Sequence, residues 1–155
     1  MQVRHPEELE AGPPGSWASS AASRATMRGN VGRDTVPELR VRRLLHAAGL
    51  RYRVDWPLPF NRRRRADIAF TSTMIAVFID GCFWHGCPTH YVAPSANAVY
   101  WVGKVTGNTA RDRDTDEQLK AAGWIVLRFW EHEDPQAAAL AVARAVTRRR
   151  AAQET

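Results

Sequence analysis

Two apolar segments, the continuous run MIAVFI (Met74–Ile79) and WIVLRFW (Trp124–Trp130), constrain the fold of this chain most strongly. Runs of this length, rich in β-branched and aromatic residues, read as strands buried on both faces. Between them Asn97–Ala122 is helical by composition, with a break expected near Gly103–Gly107 and an end at Gly123. ADIAF (Ala66–Phe70) is a short strand. The turn Thr71–Thr73 joins it to the first run as a hairpin, and Tyr52–Trp56 alternates like a half-buried strand. Two further helices flank these strands. In DTVPELRVRRLLHAAG, Thr35 and Glu38 form a capping box, Pro37 lies in the first turn and Gly49 follows the end. Leu39, Leu44, Leu45 and Ala48 are expected on its buried face, with Arg40, Arg42 and Arg43 elsewhere. Asp134 and Pro135 open the last helix, PQAAALAVARAV, and Arg148–Arg150 suit the negative end of its dipole. This order predicts an α/β fold with a mixed central β-sheet flanked by helices.

A chain of 155 residues fits one domain with a sizeable core. Residues 1–20, rich in Pro, Gly, Ser, Glu and Ala, read as a disordered tail. The domain is expected over 21–150, including a basic N-terminal arm (21–33) that orders on a partner; 151–155 form a short tail. The net charge is +6 and the pI about 10.1, and Lys104 and Lys120 are the only lysines. Guanidinium groups grip phosphate in a bidentate way, so nucleic acid is the expected partner. A GC-rich genome would enrich arginine without such a partner. No run of about 18 apolar residues suggests a membrane span. No signal peptide is visible either, so a cytoplasmic location with reduced thiols is expected.

Both cysteines lie within DGCFWHGCPTHY, residues 80–91. Cys82, Cys87 and His90 offer three zinc ligands, and a closed zinc site needs a fourth. His132, just beyond the second apolar run, is the best candidate, because neighbouring strand ends can bring it to Cys82. Two buried thiols or a disulfide are the alternatives. Asp67, on the strand paired with Met74–Ile79, could hold Mg²⁺ beside a scissile phosphate, with His85 as general base. The alternative for Asp67 is a capping or salt-bridging role beside Arg64 and Arg65. Phe83 and Trp84 are either core residues or a wedge against a partner.

Taken together, DGCFWHGC, the downstream YW…K…N…RDR and GWIVLRFWE resemble the very short patch repair endonucleases. These are DNA mismatch endonucleases that nick beside the thymine of a T:G mismatch. The resemblance runs from about Arg24 to Glu131 and includes the RDT…E start of the first helix. It implies a restriction-endonuclease-like core with a structural zinc site, acting on double-stranded DNA with a T:G mismatch and initiating very short patch repair. It further implies a bacterial, nucleoid-associated monomer, with other repair proteins as further candidate partners. Asp67 then matches the catalytic aspartate that ligates Mg²⁺, and Ile79 the position whose main-chain carbonyl completes that site. His85 matches the catalytic histidine, Asp112 its acidic support, and Glu38 an acidic group reaching toward the metal waters. Phe83, Trp84 and Trp101 match aromatics that wedge into the duplex. Lys104 and Asn108 are placed with them as DNA contacts, and Met27 lies in a segment that approaches the minor groove. The zinc set becomes Cys82, Cys87, His90 and His132, with His90 shifted by one residue from a family cysteine and His132 replacing another. Asp80 stands where a histidine can occur. A restriction-like nuclease cutting intact sites, and a zinc-stapled DNA-binding module without catalysis, are the competing readings.

Overall fold

The computed structural model describes residues 33–155; the tail over 1–20, Met27 and the arm up to residue 32 lie outside the described residues. Helix α1 (Val36–Ala47) leads into strands β1 (Arg53–Pro57), β2 (Arg65–Phe70) and β3 (Ile75–Asp80). Helix α2 (Ala98–Ala121), strand β4 (Ile125–Trp130) and helix α3 (Pro135–Gln153) follow. The strands form one mixed sheet in the order β1-β2-β3-β4, antiparallel at the first two junctions and parallel between β3 and β4. The long helix α2 provides the crossover that a parallel pair requires. No helix among the described residues is long and apolar enough to cross a membrane.

Helices α1 and α3 cover one sheet face. Val41 and Leu45 from α1 and Ala138, Ala139, Val142 and Val146 from α3 pack on Ile68, Phe70, Ile75 and Val77. Burying a side chain of Val or Leu size stabilises by about 1.5–3 kcal/mol, so this layer is a principal source of stability. On the other face Leu119 of α2 packs with Leu58, Ala66, Ala76 and Phe78.

The structure differs from the sequence-based expectation in several places. Helix α2 is continuous through Gly103 and Gly107. Glycine in a helix costs about 1 kcal/mol but removes no hydrogen bond, and both glycines face open space. In α1 the buried residues are Glu38, Val41, Arg42 and Leu45, whereas Ala48 is exposed. Arg42 is tolerated inside because it pairs with Glu38 at 3.0 Å and Asp34 at 2.5 Å. Strand β4 is half-buried along its whole length rather than fully buried, as suits the edge position it holds beyond β3. Helix α3 also runs to Gln153, into the segment expected as a tail.

Candidate active site and metal centre

Strand β2 changes face at Asp67. Side chains two apart on a strand point the same way, yet Ala66 belongs to the α2-side core and Ile68 to the opposite one. In β1, Asp55 lies between the register pairs Val54↔Ile68 and Trp56↔Ala66 and has a φ of 46°. The β2–β3 pairing reaches Ile68↔Val77, and beyond it Asp67 Oδ2 accepts a 2.6 Å hydrogen bond from the Ile79 N–H. Burial pushes the Asp67 carboxyl up to about 7. The Ile79 amide and Arg42 act against this, while the charges of Glu38 and Asp80 reinforce it. Arg64 and Arg65 pair with Asp114 and Asp55 instead, so the salt-bridging role considered for Asp67 does not form.

Glu38 is only 3% exposed. Its carboxylate takes the Asp34 N–H at 2.8 Å, the Thr35 hydroxyl at 3.0 Å and an Arg42 guanidinium N–H at 3.0 Å. It therefore caps α1 while adding negative charge near Asp67.

His85 follows β3 in the loop Gly81–Tyr91, and its Nδ1–H donates to Asp112 Oδ2 at 2.5 Å, with Asp80 Oδ1 at 3.9 Å. Burial alone would lower the pKa of the ring. The Asp112 hydrogen bond and the charges of Asp80 and Asp112 outweigh it, so the pKa is raised. With Nδ1 engaged, Nε2 is the atom left to meet a substrate or a water. The loop lies close against α2: Asn108 Nδ2 donates to the Trp84 carbonyl at 2.8 Å. Gly86 adopts φ +65°, and a Cβ there would sit 2.7 Å from Val105 Cγ1. Asn108, read as a DNA contact, thus also fixes the loop that carries His85.

The aromatic residues form one group. Phe83 stacks edge-on with Trp84 at 5.2 Å and with Trp101 at 5.3 Å between ring centres. Phe83 and Trp84 are half-buried, while Trp101 is 6% exposed and lies inside the cluster. Lys104 and the neighbouring Val102 are exposed on the same helix.

The register of β3 and β4 pairs Asp80 with Trp130. Cys82 and His132 each follow two residues later, so the parallel strands deliver them together, with Cys82 Sγ and His132 Nδ1 3.1 Å apart. Cys87 and His90 close the group, and the four potential ligand atoms lie within 4.8 Å of one another. Neither cysteine is in a disulfide. Burial beside the second thiol pushes Cys82 up to about 11. Burial also raises Cys87, but the Thr89 and His90 amides and the His90 ring bring it down to about 7. Two thiols and two imidazoles at this spacing fit a tetrahedral soft-metal site, and a bound cation would favour both thiolates. Glu131 supports the loop by accepting the Cys82 N–H at 2.9 Å.

Arg128 escaped the sequence reading. Its signal was present: one cation in the middle of an apolar strand has to be explained by a partner.

Comparison with known proteins gives the family. A family model described as DNA mismatch endonuclease Vsr matches residues 18–90. The type II nicking enzyme V.NaeI of Lentzea aerocolonigenes is 44% identical over 125 residues, covering 79% of this chain and 75% of that protein. The type II nicking enzyme V.HpaIIP of Haemophilus parainfluenzae is 33% identical, covering 76% of this chain and 84% of that protein. The DNA mismatch endonuclease Vsr of Escherichia coli is 36% identical, covering 68% and 66%. Identity at this level, over most of the length of such relatives, shows that the chain belongs to the DNA mismatch endonuclease Vsr family and is a DNA endonuclease.

Proposed function

We propose that this endonuclease nicks one strand of duplex DNA beside the thymine of a T:G mismatch, with Mg²⁺ as catalytic cofactor and Zn²⁺ as structural cofactor, and so initiates very short patch repair on a restriction-endonuclease-like core. The observation that carries the reading is the pairing of two unlike acid–base units at one end of the two central strands. Asp67 is a buried carboxylate bonded to the Ile79 amide. One residue beyond Ile79, Asp80 faces the His85–Asp112 pair.

A buried carboxylate whose pKa is pushed up is not fully compensated by the charges around it, which is how a carboxylate waiting for Mg²⁺ behaves. Asp67 and the main-chain carbonyl of Ile79 would hold the ion, with Glu38 toward its waters. Mg²⁺, when bound, supplies polarisation of the phosphoryl oxygen. His85 Nε2 takes a proton from the attacking water, and Asp112 holds the ring by Nδ1 and stabilises the imidazolium that results. Cys82, Cys87, His90 and His132 would hold Zn²⁺ and tie the His85 loop to the end of β4. Phe83 and Trp84 wedge at the mismatched step, backed by Trp101, with Lys104 and Asn108 alongside. Unstacking a mismatched pair costs less than unstacking a matched one, which contributes to selectivity.

The test is a labelled duplex with and without a T:G pair, incubated with Mg²⁺. Nicking of the mismatched duplex alone is expected. Cutting of matched DNA would support a restriction-like nuclease, and a gel shift without cleavage a binding module. Replacing Phe83 and Trp84 together by Ala should lower affinity for T:G duplex toward that for matched duplex, since stacking is worth about 1–3 kcal/mol per aromatic. Unchanged affinity would make both rings core packing.

A further inference from the structure

Three carboxylates from two elements converge on the inner side of the His85 loop: Asp80 at the end of β3, and Asp112 and Asp116 one turn apart on α2. Among the described residues their ion-pair partners are Arg128 and His85. Arg128 stands opposite Phe78 in the β3–β4 register, with its guanidinium 4.2 Å from that ring centre. Its donors are divided. Nη1 donates to both Asp80 oxygens at 2.9 and 3.0 Å, Nε donates to Asp116 at 2.8 Å, and Nη2 lies 3.7 Å from Asp112 Oδ1.

The His85 ring has two possible anchors for one N–H. Asp112 Oδ2 holds it at 2.5 Å, and Asp80 Oδ1 lies 3.9 Å from the same nitrogen. That Asp80 oxygen is one of the two taken by Arg128. We infer that Arg128 is a positioning residue: by occupying Asp80 it leaves Asp112 as the anchor of His85 and so sets the direction of Nε2. This rests on the reading of His85 as general base. Without the guanidinium, Asp80 is a buried carboxylate, 8% exposed, whose remaining ion-pair partner among the described residues is the His85 ring. A buried carboxylate without a hydrogen-bond partner is costly, charged or neutral, so pairing with a donor within reach is favoured. The ring would turn toward Asp80, and Nε2 would move with it. A lysine is a poor substitute, because it lacks the planar fork that spans Asp80 and Asp116.

The experiment compares wild type, R128M, R128M/D80N and H85A, each checked by thermal melt, for single-turnover nicking of T:G duplex in Mg²⁺ and for duplex affinity without it. A displacement of about 1 Å in a catalytic group costs about 100-fold in rate, and that loss is expected for R128M with affinity within about 3-fold of wild type. R128M/D80N removes the competing anion together with the cation and should nick at least about 10-fold faster than R128M, recovering a large part of the lost rate. R128M nicking at the wild-type rate overturns the inference. So does a parallel fall in rate and affinity, or a double variant no faster than the single. Should R128M not fold, R128Q and R128Q/D80N carry the same comparison. H85A separates the two levels: full activity in H85A removes the general-base reading itself, whereas an inactive H85A beside an active R128M removes only the role of Arg128.

Discussion

Asp67 is held in an environment that opposes its own charge. The folded pKa is raised to about 7 from a reference of 3.8. A raised carboxyl pKa stabilises the fold at low pH, and that contribution is lost as pH rises through the folded value. The Mg²⁺-free protein should therefore lose stability between about pH 4 and pH 7, by at most about 4 kcal/mol at one pKa unit per 1.36 kcal/mol. Asp67→Asn keeps an acceptor for the Ile79 amide and removes the charge. Its melting temperature in Mg²⁺-free buffer should exceed that of wild type at pH 8, by a margin that shrinks toward pH 4. Its nicking should be abolished while mismatch binding persists. A variant melting at or below wild type at pH 8 would show that the buried charge carries no such cost, and near-normal nicking would remove Asp67 from the mechanism. The residue scale also shows where type and spacing reach their limit. Asp67, His85 and Asp112 could be named from motif. That Arg64 and Arg65 turn away to Asp114 and Asp55 depends on distances the sequence does not contain.

The loop between β3 and α2 owes its shape to the elements at its two ends. Parallel pairing of Asp80 with Trp130 puts the next residues of both strands side by side, and Cys82 and His132 meet there. This loop has little hydrophobic burial of its own beyond the aromatic group, so a metal held by its side chains and His132 would contribute folding free energy directly. His132→Ala should lower the metal content and the melting temperature together, and before any effect on chemistry, because His85 is not among the four proposed ligands. Metal analysis of untreated protein that finds no zinc, with full stability in chelator, would return both cysteines to ordinary packing. At this scale α2 is the instructive misreading. Two glycines within five residues suggested a break, yet helix propensity is a weak preference that tertiary packing overrides. Thr115 and Leu119 are buried against the rest of the fold, and Asn108 and Asp112 serve the loop.

For the whole molecule, an arginine-rich chain of net charge +6 meets a polyanion. Arg62 and Arg63, exposed in the β1–β2 loop, should touch phosphate rather than bases. Replacing both with Ala should weaken binding to matched and mismatched duplex alike. It should also flatten the slope of log affinity against log salt by about 1 for each phosphate no longer neutralised. A weakening confined to T:G duplex, or an unchanged slope, would place them elsewhere. At this scale the strands, the hairpin, the helix caps and the α/β order were legible in the sequence. They follow from the period of apolar residues and from the local chemistry of Pro, Gly and Thr, which act over a few positions. The candidate metal ligands and His85, the proposed general base, were legible as candidates because few residue types can perform those tasks. The face change at Asp67, the division of Arg128 among Asp80, Asp112 and Asp116, and the placing of Trp101 against Phe83 and Trp84 were decided by tertiary structure alone. The physical reason is that the partner of a buried charge, and the neighbour of a ring, are chosen by residues distant in the chain that only packing brings within a few ångströms.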